Sequence, residues 1–224
     1  MPLLYAEGIS HTYNGKDLIL NNVNVDINQG DFVSILGPSG SGKTTLLSIL
    51  AGLEKPTKGQ VYLGDTEITG LSEKKLAILR RTKISFVFQF FNLAPYLTLE
   101  ENILVPEYLN GVKKKDVEGR LNYLLDLLDL RKLRKKLPAT LSGGEQQRCA
   151  IARSLIFDPE VIFLDEPTGN LDSVNSKNVM ELLMKINEEK NTTIIQVTHS
   201  EENAKYGKTI IRLKDGKIVR TRKR

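Results

Sequence analysis

The feature that most constrains the fold is a glycine-rich stretch between an apolar segment and a helix-like segment. Residues 37–44 read Gly-Pro-Ser-Gly-Ser-Gly-Lys-Thr and match the pattern G-x-x-x-x-G-K-[ST]. The apolar run 31–36 predicts a buried strand, and we expect a helix to begin near Gly42. Backbone N–H groups and the helix dipole of such a loop surround phosphate oxygens. A glycine-rich turn that merely caps a helix does not require Lys43 and Thr44, so the pattern predicts a nucleoside triphosphate site.

The last residues of this loop have distinct expected roles. Lys43 is expected to reach the β- and γ-phosphate oxygens, which also makes it a candidate catalytic residue, and Thr44 is expected to ligate Mg²⁺. The phosphate-loop residues predicted to contact the nucleotide are Gly37, Pro38, Ser39, Gly40, Ser41, Gly42, Lys43, Thr44 and Thr45.

Two adjacent carboxylates end a second apolar run. Residues 161–164 are Val-Ile-Phe-Leu, and Asp165 and Glu166 follow. Successive side chains of a strand point to opposite faces, so the two acids are expected to do different work. Asp165 is predicted to hold Mg²⁺, and Glu166 to polarise the attacking water as general base. The structural alternative is that the acids only end the strand and cap the next element.

The order of predicted elements indicates an α/β fold. Continuous apolar strands that alternate with helical stretches predict a parallel sheet covered on both faces. No strand is predicted between residues 99 and 157, where 117–130 and 143–157 have helical character, so this block is expected to be a helical insertion. The predicted strands are 3–10, 18–27, 31–36, 60–63, 84–88, 161–164, 192–197 and 209–213.

Net charge argues against nucleic acid as a partner. The chain has a formal net charge of +5, and four of these charges come from Arg220, Arg222, Lys223 and Arg224. An almost neutral body does not offer a surface that tracks a phosphate backbone. We expect these last residues to be a disordered, solvated end, with contact to anionic lipid as the alternative.

Composition also limits the compartment and the number of domains. At 224 residues and 40% hydrophobic content, one domain with its own core is expected. The single cysteine, Cys149, cannot form an internal disulfide, which fits a reducing cytoplasm. The N-terminus has no signal-peptide pattern, and no run approaches the roughly 18 apolar residues that span a bilayer. We therefore expect no transmembrane segment.

A third motif connects the chain to a family. Residues 141–148 read Leu-Ser-Gly-Gly-Glu-Gln-Gln-Arg, in which Ser142 and Glu145 form a capping box. A cap alone does not explain Gly143 and Gly144, each of which costs roughly 1 kcal/mol of helix propensity. Close approach of a phosphate would explain them. The stretch resembles the signature of ABC ATPases, which implies that residues 142–145 of one subunit contact the γ-phosphate of ATP held by another.

The resemblance to ABC ATPases covers essentially the whole chain, with the motifs in the family's order. It implies an α/β P-loop NTPase (RecA-like) fold that has a mixed sheet core, an antiparallel β subdomain and an α-helical signature subdomain. The whole chain, 1–224, is expected to be one such domain. The core and β subdomain would comprise about 1–88 and 158–224, and the helical subdomain about 89–157.

The same resemblance implies roles for four further residues. Tyr13 lies where the family stacks an aromatic ring on adenine, and Gln89 where a glutamine meets Mg²⁺ and water and senses the membrane partner. Asp172 matches the aspartate loop at the dimer seam, and His199 matches the switch histidine near the γ-phosphate. Plain structural roles are the alternatives. The neighbouring apolar residues are expected to form helical core or a groove for a permease helix: Phe90, Phe91, Leu93, Pro95, Tyr96 and Leu97.

The function implied by the resemblance is an ATP-hydrolysing subunit that forms a head-to-tail homodimer around two ATP with Mg²⁺. It would lie peripherally on the cytoplasmic face of the inner membrane and drive a separate integral permease. Residues 166–173, Glu-Pro-Thr-Gly-Asn-Leu-Asp-Ser, and the Phe-Asn-Leu-x-Pro stretch are similar to the MacB/LolD/FtsE group. This implies a permease of the FtsX/MacB type and export, release or mechanotransmission.

Three alternatives remain beside this prediction. An ATPase subunit of an amino-acid importer shares the glutamine loop, although its aspartate loop usually differs. A soluble ABC ATPase that acts on DNA or ribosomes usually has a long coiled coil or a second ATPase domain, whereas only 96 residues separate Thr45 from Ser142. A GTP-binding switch would need an N-K-x-D motif, which the sequence lacks.

Overall fold

The computed structural model describes residues 2–223. This part of the chain contains ten β-strands and seven α-helices. The strands are β1 (Leu4–His11), β2 (Leu20–Ile27), β3 (Phe32–Leu36), β4 (Lys58–Leu63), β5 (Thr66–Glu67), β6 (Ile84–Val87), β7 (Val161–Asp165), β8 (Thr193–Thr198), β9 (Thr209–Lys214) and β10 (Lys217–Lys223). The helices are α1 (Lys43–Leu50), α2 (Glu73–Thr82), α3 (Leu99–Leu109), α4 (Lys114–Leu127), α5 (Gly143–Leu155), α6 (Ser173–Lys190) and α7 (Glu201–Ala204).

The larger sheet is mixed and has the strand order β10-β9-β3-β8-β7-β6. The five strands from β9 to β6 run parallel, and β10 is antiparallel to β9. Every side chain of β3 and β8 is buried, as expected for strands that are covered on both faces. Leu36 pairs with Thr198, and Asp165 pairs with Val197. The carboxyl ends of β3, β7 and β8 therefore lie side by side, and their loops carry the site.

A second, antiparallel sheet covers the helix that follows the phosphate loop. Its strand order is β2-β1-β4-β5. Side chains of β2 alternate between buried and solvent-facing after Val23, which is typical of a sheet with one face on the core. One apolar cluster contains residues of both sheets together with Leu46, Leu47 and Leu50 of α1. This packing holds α1, and hence the phosphate loop, between the two sheets.

The helices of residues 99–155 form a second core on the other face of the larger sheet. Leu121, Leu124 and Ile151 pack in one cluster with Ile162 of β7 and Leu183 of α6. Two single-turn 3₁₀ helices, Arg131–Leu133 and Pro138–Thr140, lie between α4 and α5. Both α3 and α5 begin with a complete capping box. The predicted helical insertion is thus observed, with α3 as a helix that the sequence pattern did not single out.

The prediction of a disordered C-terminal tail was wrong for the described residues. β10 pairs with β9 from Lys217 opposite Lys214 to Lys223 opposite Thr209. Backbone hydrogen bonds to β9 order this strand although nearly all of its side chains are exposed. Charged side chains on an edge strand also discourage pairing with further strands. Arg224, the last residue of the predicted tail, lies outside the described residues.

The longest helix within residues 2–223 is α6, with 18 residues. It buries one face against the sheet through residues such as Val179 and Leu183, and carries charged side chains on its other faces. None of the helices described for this chain has both the length and the apolar character that a bilayer crossing requires.

Candidate nucleotide-binding site

A cleft of about 670 Å³ opens where the loops after β3, β7 and β8 meet. Its volume is typical of small-molecule sites. It is lined by Tyr13, Ile19, Ser39, Gly40, Gly42, Lys43, Thr44, Thr45, Gln89, Glu166 and His199. All of these residues except Ile19 belong to the site predicted from the sequence. Ile19 precedes β2, and no motif distinguishes it from other apolar residues at strand ends.

The phosphate loop depends on its glycines for its shape. Gly40 and Gly42 have φ angles of +76° and +94°, in the region that residues with a Cβ rarely adopt. A Cβ on Gly37 would lie 2.2 Å from the carbonyl oxygen of Leu213, so no larger residue fits there. Gly42 caps α1 without a side-chain hydrogen bond. The first N–H groups of α1 therefore have no side-chain acceptor and can bind an anion.

Lys43, the first residue of α1, turns back over this loop. Its side chain is almost completely buried, and Nζ donates a 2.8 Å hydrogen bond to the carbonyl oxygen of Pro38. A buried ammonium is costly unless it is paired, and this acceptor is neutral. A triphosphate in the cleft would supply the compensating charge.

Asp165 and Thr44 place a carboxylate and a hydroxyl oxygen next to each other in the site. Thr44 Oγ1 donates a 3.2 Å hydrogen bond to Asp165 Oδ1. Burial raises the pKa of Asp165, and the charge of Glu166 raises it further, although Thr44 and Lys43 act in the opposite direction. Mg²⁺ prefers hard oxygen ligands and usually takes one or two from the protein and the rest from phosphates and water. The hydroxyl and carboxylate fit this pattern.

Glu166 leaves the strand with an unusual backbone conformation. Its φ is +46°, a left-handed value that is uncommon for a residue with a Cβ and that clusters at functional sites. Its carboxylate Oε1 lies 3.0 Å from His199 Nδ1. As expected, the side chains of Asp165 and Glu166 contact different residues, but strand alternation is not the cause. β7 ends at Asp165, and the left-handed turn directs Glu166 toward His199 instead.

Gln89 connects the cleft to the loop that precedes α6. Its carbonyl oxygen accepts a 2.9 Å hydrogen bond from Asn170 Nδ2. A Cβ on Gly169 would lie 3.1 Å from Gln89 Nε2, so this glycine lets the glutamine side chain lie close to the loop. Gln89 therefore lines the cleft and contacts the aspartate-loop segment at the same time.

Tyr13 also lines the cleft and is 65% exposed. Its hydroxyl donates a 3.0 Å hydrogen bond to Glu54 Oε2 and lies 3.2 Å from Thr45 Oγ1. The His11 and Tyr13 rings are nearly perpendicular, with a centroid distance of 4.7 Å. These contacts orient the ring while leaving much of it open for stacking.

The signature residues lie elsewhere. Among the described residues that line the cleft, none comes from 142–145. Ser142 caps α5, its N–H donates to Glu145 Oε2 at 2.7 Å, and its hydroxyl accepts from the N–H of Glu145 at 3.3 Å. Ser142 itself is exposed. This helix tip therefore faces solvent and not the cleft of its own chain.

The two signature glycines have different surroundings. A Cβ on Gly144 would lie 2.7 Å from Asn175 Oδ1, whereas a Cβ on Gly143 would meet nothing closer than Leu171 Cδ2 at 3.5 Å. Asn175 of the same chain thus gives a second reason for a glycine at position 144, and the contact of both glycines with a phosphate stays a prediction. Gly143 has more open space around its Cβ position than Gly144.

Asp172 lies next to this contact and also outside the cleft. It caps α6 and accepts hydrogen bonds from the N–H and the Nδ2 of Asn175, at 2.9 and 2.6 Å. These hydrogen bonds hold the pKa of Asp172 below its usual value. Sequence reasoning missed Asn175, which links Asp172 to Gly144, because an asparagine in the first turn of a helix is an ordinary feature.

Comparison with known proteins identifies the family. Residues 20–169 match the profile described as ABC transporter. The chain belongs to the ABC transporter family. It is an ATPase of that family, as the sequence predicted, and its predicted fold class is confirmed by the solved structures that it resembles.

Three proteins illustrate this similarity. The lipoprotein-releasing system ATP-binding protein LolD of Aquifex aeolicus is 48% identical over 217 residues, which cover 97% of this ABC ATPase and 96% of LolD. The macrolide export ATP-binding/permease protein MacB of Syntrophobacter fumaroxidans is 41% identical over 97% of this chain and 31% of MacB. The dimeric, post-hydrolysis structure of the ATP-binding cassette MJ0796 of Methanocaldococcus jannaschii, bound to ADP and Pi, has a TM-score of 0.89 and 41% identity, with 98% of each chain covered.

Proposed function

We propose that this ABC ATPase binds ATP and Mg²⁺ between two copies arranged head to tail. The observation that carries the proposal is the separation of its two phosphate-binding surfaces. The phosphate loop, Glu166 and His199 share one cleft, whereas Ser142, which caps α5, is exposed outside it. A second copy would complete the site by placing its α5 tip over the cleft. The dimeric form of MJ0796, bound to ADP and Pi, supports this arrangement.

In the proposed complex each group of the cleft binds one part of the nucleotide. The ring of Tyr13 stacks on adenine. The amides of the phosphate loop and Lys43 bind the β- and γ-phosphates. Thr44 and Asp165 would hold Mg²⁺, and Gln89 would assist them. When bound, Mg²⁺ neutralises charge on the phosphate oxygens.

Hydrolysis in this site requires a positioned base. Glu166 accepts a proton from water while the water oxygen forms a bond to the γ-phosphorus. The bond from the γ-phosphorus to the bridging oxygen of ADP breaks in line, which yields ADP and phosphate. His199 orients the Glu166 carboxylate through its Nδ1. Lys43 of the copy that holds the nucleotide and Ser142 of the second copy stabilise the charge on the γ-phosphate.

We assign the membrane partner to a groove on the side of the chain. The apolar groove has a volume of about 400 Å³. Its walls are mostly apolar, with Leu53, Ala77, Phe86, Phe88 and Leu109 among them, and Arg80, Arg81 and Arg153 also line it. Leu53 and Leu109 are exposed, and exposed apolar patches mark interaction sites. Phe90 and Tyr96, which were expected in the helical core or the groove, are also exposed but do not line this groove. We propose that a short cytoplasmic helix of an integral permease docks here, which would place the chain peripherally on the cytoplasmic face of the inner membrane.

The permease is proposed to be of the FtsX/MacB type. Similarity to a lipoprotein-releasing protein and to a macrolide exporter supports export or release over amino-acid import. Movement would come from the helical region, about 89–157, pivoting against the core and β region, about 1–88 and 158–224. The helical region packs on β7 and α6 through one shared apolar cluster, so this movement would take place at that packed interface.

Light scattering on Glu166→Gln tests the proposed dimer. Removing the base should lower the hydrolysis rate by ~10²–10⁴ while ATP still binds. With ATP and Mg²⁺ the variant is expected to double its mass, and with ADP to stay monomeric. A monomer under both conditions would contradict the shared site. Co-purification with a permease encoded beside the chain, and its loss in Leu109→Glu, tests the groove separately.

A further inference from the structure

The segment that joins the cleft to the apolar groove has an irregular backbone held by side chains from other elements. Residues 88–98 connect β6 to α3, and Phe88 lines the groove while Gln89 lines the cleft. Asn170 bonds to the start of the segment, at the carbonyl of Gln89. The fully buried Asn102 holds its end through the carbonyl oxygens of Ala94, Leu97 and Thr98 at 3.0–3.1 Å. The middle of the segment is fixed by a third residue, which belongs to α5, the helix that begins with the signature residues (the signature helix).

That residue is Arg153 in the last turn of α5. Its Nη2 donates to the carbonyl of Phe91 at 2.7 Å, and its Nη1 to the carbonyl of Asn92 at 2.6 Å. Within the described residues no carboxylate forms an ion pair with Arg153, and burial lowers the pKa of its guanidinium. Placing an arginine there without a counter-ion is unfavourable unless its hydrogen bonds are needed. The two carbonyls are its main partners.

The backbone that Arg153 holds is strained. Phe91 and Asn92 have φ angles of 60° and 48°, and such values are genuine outliers for a bulky side chain like phenylalanine. Strain of this kind persists only where the surroundings enforce it. The two hydrogen bonds from Arg153 are part of that enforcement.

The strained conformation places neighbouring rings on opposite sides. Phe91 packs against the helical core, and its Cζ lies 3.9 Å from the position of a Cβ on Gly143, at the tip of the signature helix. Phe90 points outward and is 72% exposed. Arg153 also lines the apolar groove. One residue of the segment therefore contacts the signature helix, while Phe90 is exposed and Phe88 lines the groove proposed for the partner.

We propose that Arg153 is a positioning residue that transmits the position of the signature helix to the partner-facing segment. Any displacement of α5 on ATP-driven dimerisation would move the carbonyls of Phe91 and Asn92 with it. The exposed ring of Phe90 would then change its position. This inference rests on the proposed ATP dimer and concerns the residue that connects it to the groove.

Hydrogen exchange of residues 88–98 tests the role of Arg153 in the Glu166→Gln background. The N–H groups of Phe91 and Asn92 bond to the carbonyls of Phe88 and Phe90, so their exchange reports on the held conformation. We expect Arg153→Met to accelerate their exchange without nucleotide. ATP with Mg²⁺ should slow exchange in this segment roughly 10-fold in the parent, and by much less in Arg153→Met.

Two further variants separate positioning from general stability. Arg148→Met removes another arginine of α5 that donates to a carbonyl, in this case that of Leu128 at 2.9 Å, and should keep the full ATP response of the segment. Arg153→Lys keeps the charge but cannot span two carbonyls in the same way. The ATP response of Arg153→Lys should be intermediate. If Arg153→Met does not fold, Arg153→Lys alone tests whether Arg153 transmits the position of α5 to the segment.

The outcomes distinguish this inference from the proposed function. If Arg153→Met and Arg153→Lys respond to ATP as the parent does, Arg153 does not transmit the motion. If the parent itself does not dimerise with ATP, the proposed function fails. Separately, unchanged nucleotide-free exchange in Arg153→Met would show that Arg153 does not hold the conformation of Phe91 and Asn92. Dimerisation lost in Arg153→Met but retained in Arg148→Met would support the link, because the signature helix would then depend on this contact.

Discussion

The Oδ1 atom of Asn175 fills the space beside Gly144 that a Cβ would need, at a distance of 2.7 Å. Asn175 also donates two hydrogen bonds to Asp172. The signature helix and the aspartate loop of one chain are therefore in direct contact. Because both elements are proposed to face the second copy, this contact fixes their relative position before any dimer forms.

The two signature glycines should respond differently to a methyl group. Gly144→Ala forces its Cβ against Asn175 and should lower the free energy of unfolding by about 1–3 kcal/mol. Gly143→Ala meets no close atom and should gain up to about 1 kcal/mol from better helix propensity. Chemical denaturation of both variants measures these changes. Equal stability of the two would contradict the described packing.

A second result should separate the glycines by function. Gly143→Ala adds a methyl group on the surface proposed to cover the γ-phosphate, so we expect weaker ATP-driven dimerisation in the Glu166→Gln background despite the unchanged fold. Light scattering at a series of chain concentrations measures it. Dimerisation as strong as in the parent would show that nothing approaches Gly143 closely.

Lys43→Ala should remove most of the affinity for phosphate while the fold survives. A hydrogen bond to a charged group contributes about 1.5–3 kcal/mol, so ATP should bind roughly 10- to 100-fold more weakly. Lys58→Ala, which removes an exposed lysine of β4, is the matched control. Titration calorimetry gives both affinities, and unchanged ATP binding by Lys43→Ala would refute the phosphate site.

His199 is expected to act through Glu166. The 3.0 Å contact between its Nδ1 and Glu166 Oε1 orients the base, so His199→Ala should lower kcat with little effect on ATP affinity. His199→Asn can place an amide N–H near the position of Nδ1 and should recover part of the rate. If the two variants lose activity equally, orientation of Glu166 is not the role of His199.

Stability at acid pH should depend on Glu100. This carboxylate is buried, which raises its pKa, but hydrogen bonds from Lys135, Arg134 and Lys114 outweigh burial and lower the pKa to about 2. A carboxylate with a lowered pKa in the folded state stabilises the fold above its unfolded-state pKa of 4.5, and this stabilisation is lost as the pH falls from there toward 2.

Glu100→Gln should therefore destabilise the chain near neutral pH, by about 3 kcal/mol for a broken buried pair, and flatten the loss of stability below pH 4.5. Glu118→Gln is the control, because Glu118 bonds to the same Arg134 but is considerably exposed. Its loss should stay within about 1 kcal/mol. Urea denaturation between pH 3 and pH 7 measures both, and parallel pH curves for Glu100→Gln and the parent would contradict the assignment.

Much of the sheet was predictable because its strands are continuous apolar runs. β3, β7 and β8 were placed to within one or two residues for this reason. β10 was not predicted as a strand, because its residues are mostly charged and exposed. Only backbone pairing with β9 orders them. A pattern of side chains cannot reveal a strand that is held by its main chain.

The cleft was predictable because its residues belong to compact motifs. The contacts between motifs were not. Arg153 donates a hydrogen bond to a residue 62 positions away, and Asn175 of α6 contacts Gly144 of α5. The left-handed conformation of Glu166 also depends on its surroundings, since glutamate has no preference for it. Such relations arise from packing in three dimensions, which no local spacing encodes.

Mixing two inactive variants tests the shared site most directly. Lys43→Ala damages the phosphate loop and Ser142→Arg damages the signature tip, so each alone should lose roughly 100-fold or more in hydrolysis. In a head-to-tail mixed dimer, the intact phosphate loop of the Ser142→Arg chain meets the intact signature of the Lys43→Ala chain. We predict that the mixture hydrolyses ATP far faster than the sum of its two components. A mixture no more active than that sum would show that each chain builds its site alone.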